Sequence, residues 1–260
     1  MLELYHSEPN TFFLKALLVL IEKHVSFTSH YFDPTRFEQF APGFPRNVES
    51  DLHLEREGPV LVHDGAIISS SFFLLEYVAE SLPGLDLMPG DAHEHYRAHA
   101  TGQFLSLQLA PGVCALGCAR YLTPALQARE QTPLKASIER IKPQERRAAW
   151  QAVIEGYDER ALAAARERLK GPVRRVEDAL AASPWVAGRA YSIADIDAFA
   201  MLRNLPELAP QVVNRAATPR ILEFLERVSA RAAVREALGF ARTAKPEQTF
   251  VPGTEPSRWG

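Results

Sequence analysis

Between residues 11 and 23 apolar side chains recur at spacings of three and four. Phe13, Ala16, Leu17 and Leu20 share one face, which predicts a helix over 11–23. The preceding "MLELYH" has the alternation of a short strand, and "VSFTSHYF" (25–32), rich in aromatic and β-branched residues, predicts a second strand. "DPTRFEQFAPGFPRN" carries three prolines and is expected to be irregular, with a helical turn near Thr35 to Phe40. "GPVLVHDGAIIS" spells a hairpin: Pro59 to His63, an Asp64-Gly65 turn, then Ala66 to Ser69. "SSFFLLEYVAESLP" predicts a Ser-capped helix that stops before Pro83.

The order β-α-β, loop, β-β-α is a thioredoxin-like arrangement, in which an antiparallel hairpin completes a sheet begun by a βαβ unit. A linker rich in Pro and Gly, "LPGLDLMPG" (82–90), follows. Helical patterns fill the rest. One long helix, or two meeting near Pro111-Gly112, covers "HEHYRAHATGQFLSLQLAPGVCALGCARYL". A strongly helical, charge-and-alanine stretch runs from Pro143 to Ser183, and an apolar helix lies in "YSIADIDAFAMLRNL". "TPRILEFLERVSARAAVREALGF" supplies two shorter helices, and the tail from Lys245 is expected to be extended. The fold class is therefore an α/β thioredoxin-like N-terminal domain (1–82) followed by an all-α domain (90–242) and a tail (243–260).

Composition narrows the function without naming it. Hydrophobic residues make up 47% and charged residues 23%, and 29 basic residues face 32 acidic ones for a net charge of -3. No basic face or stripe of the kind nucleic acids require stands out. The longest apolar run near the N-terminus, Ala16 to Ile21, is far too short to span a bilayer. Glu3, Glu8 and Lys15 break the pattern of a signal peptide, so neither nucleic acid nor a membrane is an expected partner. The two cysteines, Cys114 and Cys118, form no Cys-x-x-Cys pair; among apolar neighbours they are expected to be buried and small, in a reducing cytoplasm.

Two motifs carry a resemblance. "GPVLVHDGAIISSS" resembles the cis-proline and serine stretch of the cytosolic glutathione S-transferases, and "GRAYSIADID" (188–197) resembles their buried-helix cap, with Ser192 capping and Asp195 replying. "FDPTRFEQ" (32–39), with the first helix and the hairpin, is similar to the bacterial β-aryl etherases of lignin breakdown, a branch of that superfamily. The resemblance implies glutathione as co-substrate and an aromatic ether as the second substrate. It also implies a homo- or heterodimer of related chains. Pro59 would be the cis-proline that turns backbone polar groups to the cysteinyl unit, with Gly58 before it. Ser70 and Ser71 would hold the γ-glutamyl end.

In this chemistry the thiol must become a thiolate, which a donor near a helix N-terminus stabilises. The etherase branch carries an Asn-Ser pair where this chain has Phe12 and Phe13, neither with a donor. Ser70 replaces the acidic member of the Glu-Ser pair, Gly58 replaces a valine, and "HLEREG" replaces the usual approach to the proline. Asn10 and Thr11, one turn earlier, are the candidate thiol-activating residues; the bland reading is that one of them only caps the helix. Ser7 is a further substitute.

The aromatic candidates for an acceptor pocket are Phe12, Phe72, Tyr121, Trp150 and Tyr157, with Phe13 and Phe73 assigned to the core. No metal is expected: "HEHYRAH" is not His-Glu-x-x-His, and His95 and His99, on one helix face, have no evident carboxylate set. Two functions remain: glutathione-dependent β-aryl ether cleavage, alone or as one subunit of a dimer, and a non-catalytic subunit or binding module with a degenerate glutathione site.

Overall fold

The computed structural model describes residues 1–46, 57–142 and 144–253. Strand β1 (Leu2–His6) leads into helix α1 (Thr11–Glu22), every residue of which is buried. Strand β2 (Thr28–Tyr31) is shorter than the sequence pattern suggests. It begins only where its backbone falls into register with β1, at Glu3 opposite Thr28. Two 3-10 turns, Pro34–Arg36 and Glu38–Phe40, occupy the expected irregular stretch.

Strands β3 (Val60–His63) and β4 (Ala66–Ser69) form the hairpin. Asp64 and Gly65 both have positive φ, as a two-residue turn that follows strand twist requires. The sheet order is β2-β1-β3-β4, with β1 parallel to β2 and the other two pairings antiparallel. Helix α2 (Ser71–Ser81) closes this unit.

The chain then becomes helical. Helices α3 (Ala92–Gln108) and α4 (Ala110–Gly117) meet at Leu109, next to the Pro111-Gly112 step. A π-helical turn (Cys118–Leu122) joins α4 to α5 (Thr123–Gln127). This run, 92–127, is long and apolar enough to cross a membrane, but it is mostly buried inside the protein. Helices α6 (Gln131–Glu139), α7 (Gln144–Glu155) and α8 (Glu159–Ala182) follow. Gly156, at φ +90°, splits the long charged stretch into α7 and α8.

Helix α9 (Ile193–Leu202) is wholly buried and begins with the expected capping box. Asp195 Oδ2 accepts from Ser192 N–H at 2.9 Å, and Asp195 Oδ1 accepts from Val186 N–H at 2.9 Å. Helices α10 (Leu205–Leu208), α11 (Pro219–Ser229) and α12 (Ala232–Leu238) complete the fold. One continuous core joins the sheet unit to the helices, with α9 packed on both α1 and α3. Cys114 and Cys118 are buried, as expected, and form no disulfide; burial pushes the Cys118 thiol well up.

Several expectations change. Phe73 is 48% exposed rather than core, while Phe72 is buried, because the start of α2 turns Phe72 inward. Arg146, in the run expected to be solvated, is buried against Glu57 at 3.6 Å. The tail is not simply extended: Pro246–Gln248 make a 3-10 turn, and Phe250 and Val251 are buried. Residues 53–56 of "HLEREG" and 254–260 of the tail lie outside the described residues.

Candidate functional site

The corner between β1 and α1 places Ser7, Asn10 and Thr11 where an unpaired helix N-terminus favours an anion. All three are buried. Asn10 occupies the N-cap position but makes no side-chain cap hydrogen bond, which corrects the capping expectation. Its amide is committed elsewhere. Nδ2 donates to the Glu247 carbonyl at 3.1 Å and to the Thr249 carbonyl at 2.9 Å. Oδ1 accepts from Asn204 Nδ2 at 2.6 Å. An amide whose two donor contacts and acceptor are met by protein groups is not available to a thiolate.

Thr11, the first residue of α1, has φ +41°. A β-branched residue in that region is a local strain that the surroundings must impose. Those surroundings are the tail and the end of α9. Arg203 Nη1 donates to the Pro9 carbonyl at 3.3 Å, and burial lowers its pKa. Glu8 is buried, accepts from the Tyr31 hydroxyl at 2.8 Å, and accepts the backbone N–H of Arg242 at 3.2 Å. Burial and the neighbouring Glu8 push the Tyr31 hydroxyl well above its ordinary pKa, so it stays a donor. The Ser7 hydroxyl oxygen is buried with no hydrogen-bond partner among the described residues. Phe12 and Phe13 point into the core; Phe13 meets Phe32 edge to face at 5.6 Å.

The tail is held at its far end as well. Phe250 stacks on Tyr121 with 6.0 Å between ring centroids and 11° between planes. It sits so close to α4 that a Cβ on Gly117 would lie 2.2 Å from its ring. Residues 247–251 thus lie between the β1–α1 corner and the α4–α5 region.

The second half of the expected site is at β4–α2. Ser69, Ser70 and Ser71 are buried. Ser70 has φ +71° and makes no side-chain cap bond, so the expected Ser cap is absent. That strained turn aims the first N–H groups of α2 at the space before it. Gly58 and Pro59 precede β3, and no peptide bond among the described residues is cis, so Gly58–Pro59 is trans. This corrects the cis expectation. Trans is the intrinsically favoured isomer of X–Pro, and the approach is fixed from the protein side: Glu57 Oε2 accepts from Gln39 Nε2 at 2.7 Å. Burial raises the Glu57 carboxyl, with Arg146 opposing the shift.

Trp150 is fully buried against Phe37, at 4.9 Å edge to face. A cavity of about 560 Å³ lies within the helical part, between α5, α6 and α7, lined by Gln127, Lys135, Ile138 and Gln151. None of Tyr121, Trp150 and Tyr157 lines it.

Sequence reading missed Glu8, Asn204, Arg203 and the tail carbonyls at the corner. Glu8 and Asn204 carried no signal beyond being polar residues beside apolar runs.

Residues 113–232 match the family described as "Glutathione S-transferase, C-terminal domain". The chain has the glutathione S-transferase fold and carries that family's C-terminal domain. Protein LigF of Sphingobium sp. (strain NBRC 103272 / SYK-6) is 26% identical over 241 residues, 90% of this chain and 92% of LigF. The crystal structure of the β-etherase LigF from Sphingobium sp. strain SYK-6 superposes with a TM-score of 0.82 at 24% identity, covering 92% of this chain and 98% of LigF. A glutathione transferase of Burkholderia graminis, solved with two glutathione molecules per subunit, gives 0.68 at 23% identity, covering 94% and 89%. Glutathione transferase F7 of Populus trichocarpa gives 0.63 at 21% identity, covering 92% and 100%.

Proposed function

We propose that this glutathione-transferase-fold chain serves glutathione-dependent cleavage of β-aryl ethers as a subunit beside a related, thiol-activating chain, and does not activate the thiol itself. The commitment of Asn10 to the Glu247 and Thr249 carbonyls carries this reading. The similarity to LigF supports the reaction class. In that reaction a glutathione thiolate attacks the carbon bearing the aryloxy group, next to a carbonyl. A C–S bond forms, the C–O bond breaks, and a phenolate leaves and takes up a proton. Residues 1–82 would form the glutathione-facing domain, 90–242 the helical one, and the assembly would be a cytoplasmic dimer.

A second reading is favoured by the β4–α2 turn. Ser70 keeps a strained φ of +71° beside buried Ser71, a cradle suited to the γ-glutamyl carboxylate. In that reading the chain binds glutathione through Ser70, Ser71 and the Gly58-Pro59 edge. With the tail displaced, Thr11 or Asn10 then activates the thiol.

Purified chain is assayed alone, and mixed with a related chain from the same genome, on a β-aryl ether ketone with glutathione. The expected result is no turnover and weak glutathione binding alone, with turnover in the mixture unchanged by Thr11→Val. Turnover by the chain alone that falls about ten- to a thousandfold in Thr11→Val, the scale of losing one preorganised donor, would overturn the subunit reading.

A further inference from the structure

Helices α2 and α3 bring together four side chains that neither helix assembles alone. Glu76 and Glu80 stand four residues apart on α2, and His95 and His99 four apart on α3, so each pair shares one helix face. The sequence expectation that these histidines lack carboxylate neighbours is thereby corrected. His99 Nδ1 bonds Glu76 Oε1. Its other nitrogen, Nε2, lies 2.9 Å from His95 Nε2 and 3.1 Å from Glu80 Oε1, and His95 Nε2 lies 3.5 Å from the same oxygen.

We propose that this cluster is a zinc-class divalent metal site, with His95 Nε2, His99 Nε2 and Glu80 as ligands and Glu76 as the orienting carboxylate. The geometry has three supports. Zinc–nitrogen and zinc–carboxylate bonds of about 2.0–2.1 Å in a tetrahedron set neighbouring ligand atoms about 3.3 Å apart, and the three edges here, from 2.9 to 3.5 Å, bracket that value. Three protein ligands of the His₂Glu kind leave the fourth position to water, a common zinc arrangement. Glu76 accepts a hydrogen bond from the Nδ1–H of His99, the tautomer that leaves the Nε2 lone pair facing the cluster; a carboxylate behind a ligating histidine is the usual support for such a site.

The site is accessible: Glu80 is 46% exposed, His95 40% and His99 30%. Its ligands come from the last helix of the sheet unit and the first long helix after residues 82–91. A bound ion therefore pins α2 to α3 across that connection and, binding only the folded arrangement, stabilises it. Imidazole and carboxylate together suit zinc and its first-row neighbours rather than calcium or magnesium.

The test uses the tag-free full-length chain, stripped with chelator and titrated with zinc chloride at neutral pH by calorimetry and thermal melting. Cobalt(II) absorption reports the ligand geometry. One zinc per chain should bind with micromolar or tighter affinity and raise Tm, and cobalt should give the intense visible bands of a four-coordinate site. His95→Ala and His99→Ala should each abolish saturable binding. Glu76→Gln should keep the stoichiometry and weaken binding by about ten- to a hundredfold, as loss of a ligand's carboxylate partner does. Circular dichroism of each variant verifies its fold, since His95, His99 and Glu76 are only partly exposed. Absent or only millimolar uptake would overturn the site, identifying the cluster as hydrogen-bonded surface groups. So would saturable uptake that survives both histidine substitutions.

Discussion

Lys15 Nζ and Asp197 Oδ1 meet at 2.8 Å with neither side chain exposed, tying α1 to α9 through the centre of the molecule. Ser106 completes the group, accepting from Lys15 at 3.2 Å and donating to Asp197 Oδ2 at 2.9 Å. Removing one partner strands a charge in the core. Lys15→Met should cost about 3–5 kcal/mol, and Lys15→Met with Asp197→Leu should recover a large part of that loss. Urea denaturation of the two single variants and the double variant measures it.

The α9 cap makes a second, separable prediction. Ser192→Ala removes one cap partner and should cost about 1 kcal/mol. Asp195→Ala also leaves the buried Val186 and Ser192 N–H groups without acceptors, and should cost about 3 kcal/mol. The double variant should lose less than the sum, since both act on one motif. Additive losses in denaturant melts would argue against the coupled cap.

Asp195 also sets a pH dependence. Burial pushes its carboxyl up to about 7, against the opposing pull of the Val186 and Ser192 hydrogen bonds. The folded chain therefore holds a proton that the unfolded chain, with a carboxyl near 3.9, releases. Its contribution to stability is complete below about pH 4 and is lost as pH rises through about 7. Unfolding free energies compared at pH 5 and pH 8, on either side of the folded titration near 7, should fall more in the native chain than in Asp195→Asn. An identical fall in both would sink the assignment.

Gly117→Ala tests the tail closure directly. A Cβ there meets the Phe250 ring at 2.2 Å and the ring must leave. We expect destabilisation of about 1–3 kcal/mol, the usual cost of overpacking. Limited proteolysis should show faster cleavage near residues 246–253, and calorimetry should show stronger glutathione binding than in the native chain. Unchanged proteolysis would mean that Phe250 does not hold the tail.

What was legible in the sequence was local. The 3.6-residue period of α1, the Asp64-Gly65 turn and the Ser192–Asp195 cap are set by neighbours a few residues away, and all three stand in the fold. The candidate site was legible only as a set of residue types. Whether Asn10 points to a substrate or a carbonyl depends on residues 237 and 239 positions away. Arg146 looked solvated because its own helix is charged; its burial is set by Glu57 from the other part of the chain. The four-residue spacings of Glu76–Glu80 and His95–His99 were visible, but their meeting depends on how α2 packs against α3. The trans bond at Pro59 was not read from the sequence, although Gly58 and the altered approach to it are visible there.

The contacts of Asn10 with residues 247 and 249 also impose an order of events. Strand β1 and helix α1 leave the ribosome before the segment that seals their corner, which follows the helices it rests on. The nascent protein thus passes through a stage with the anion-favouring corner built and open. In the mature chain the same seal, resting on a few tail contacts, should be among the first features to open under mild denaturant, before the sheet and α9 give way.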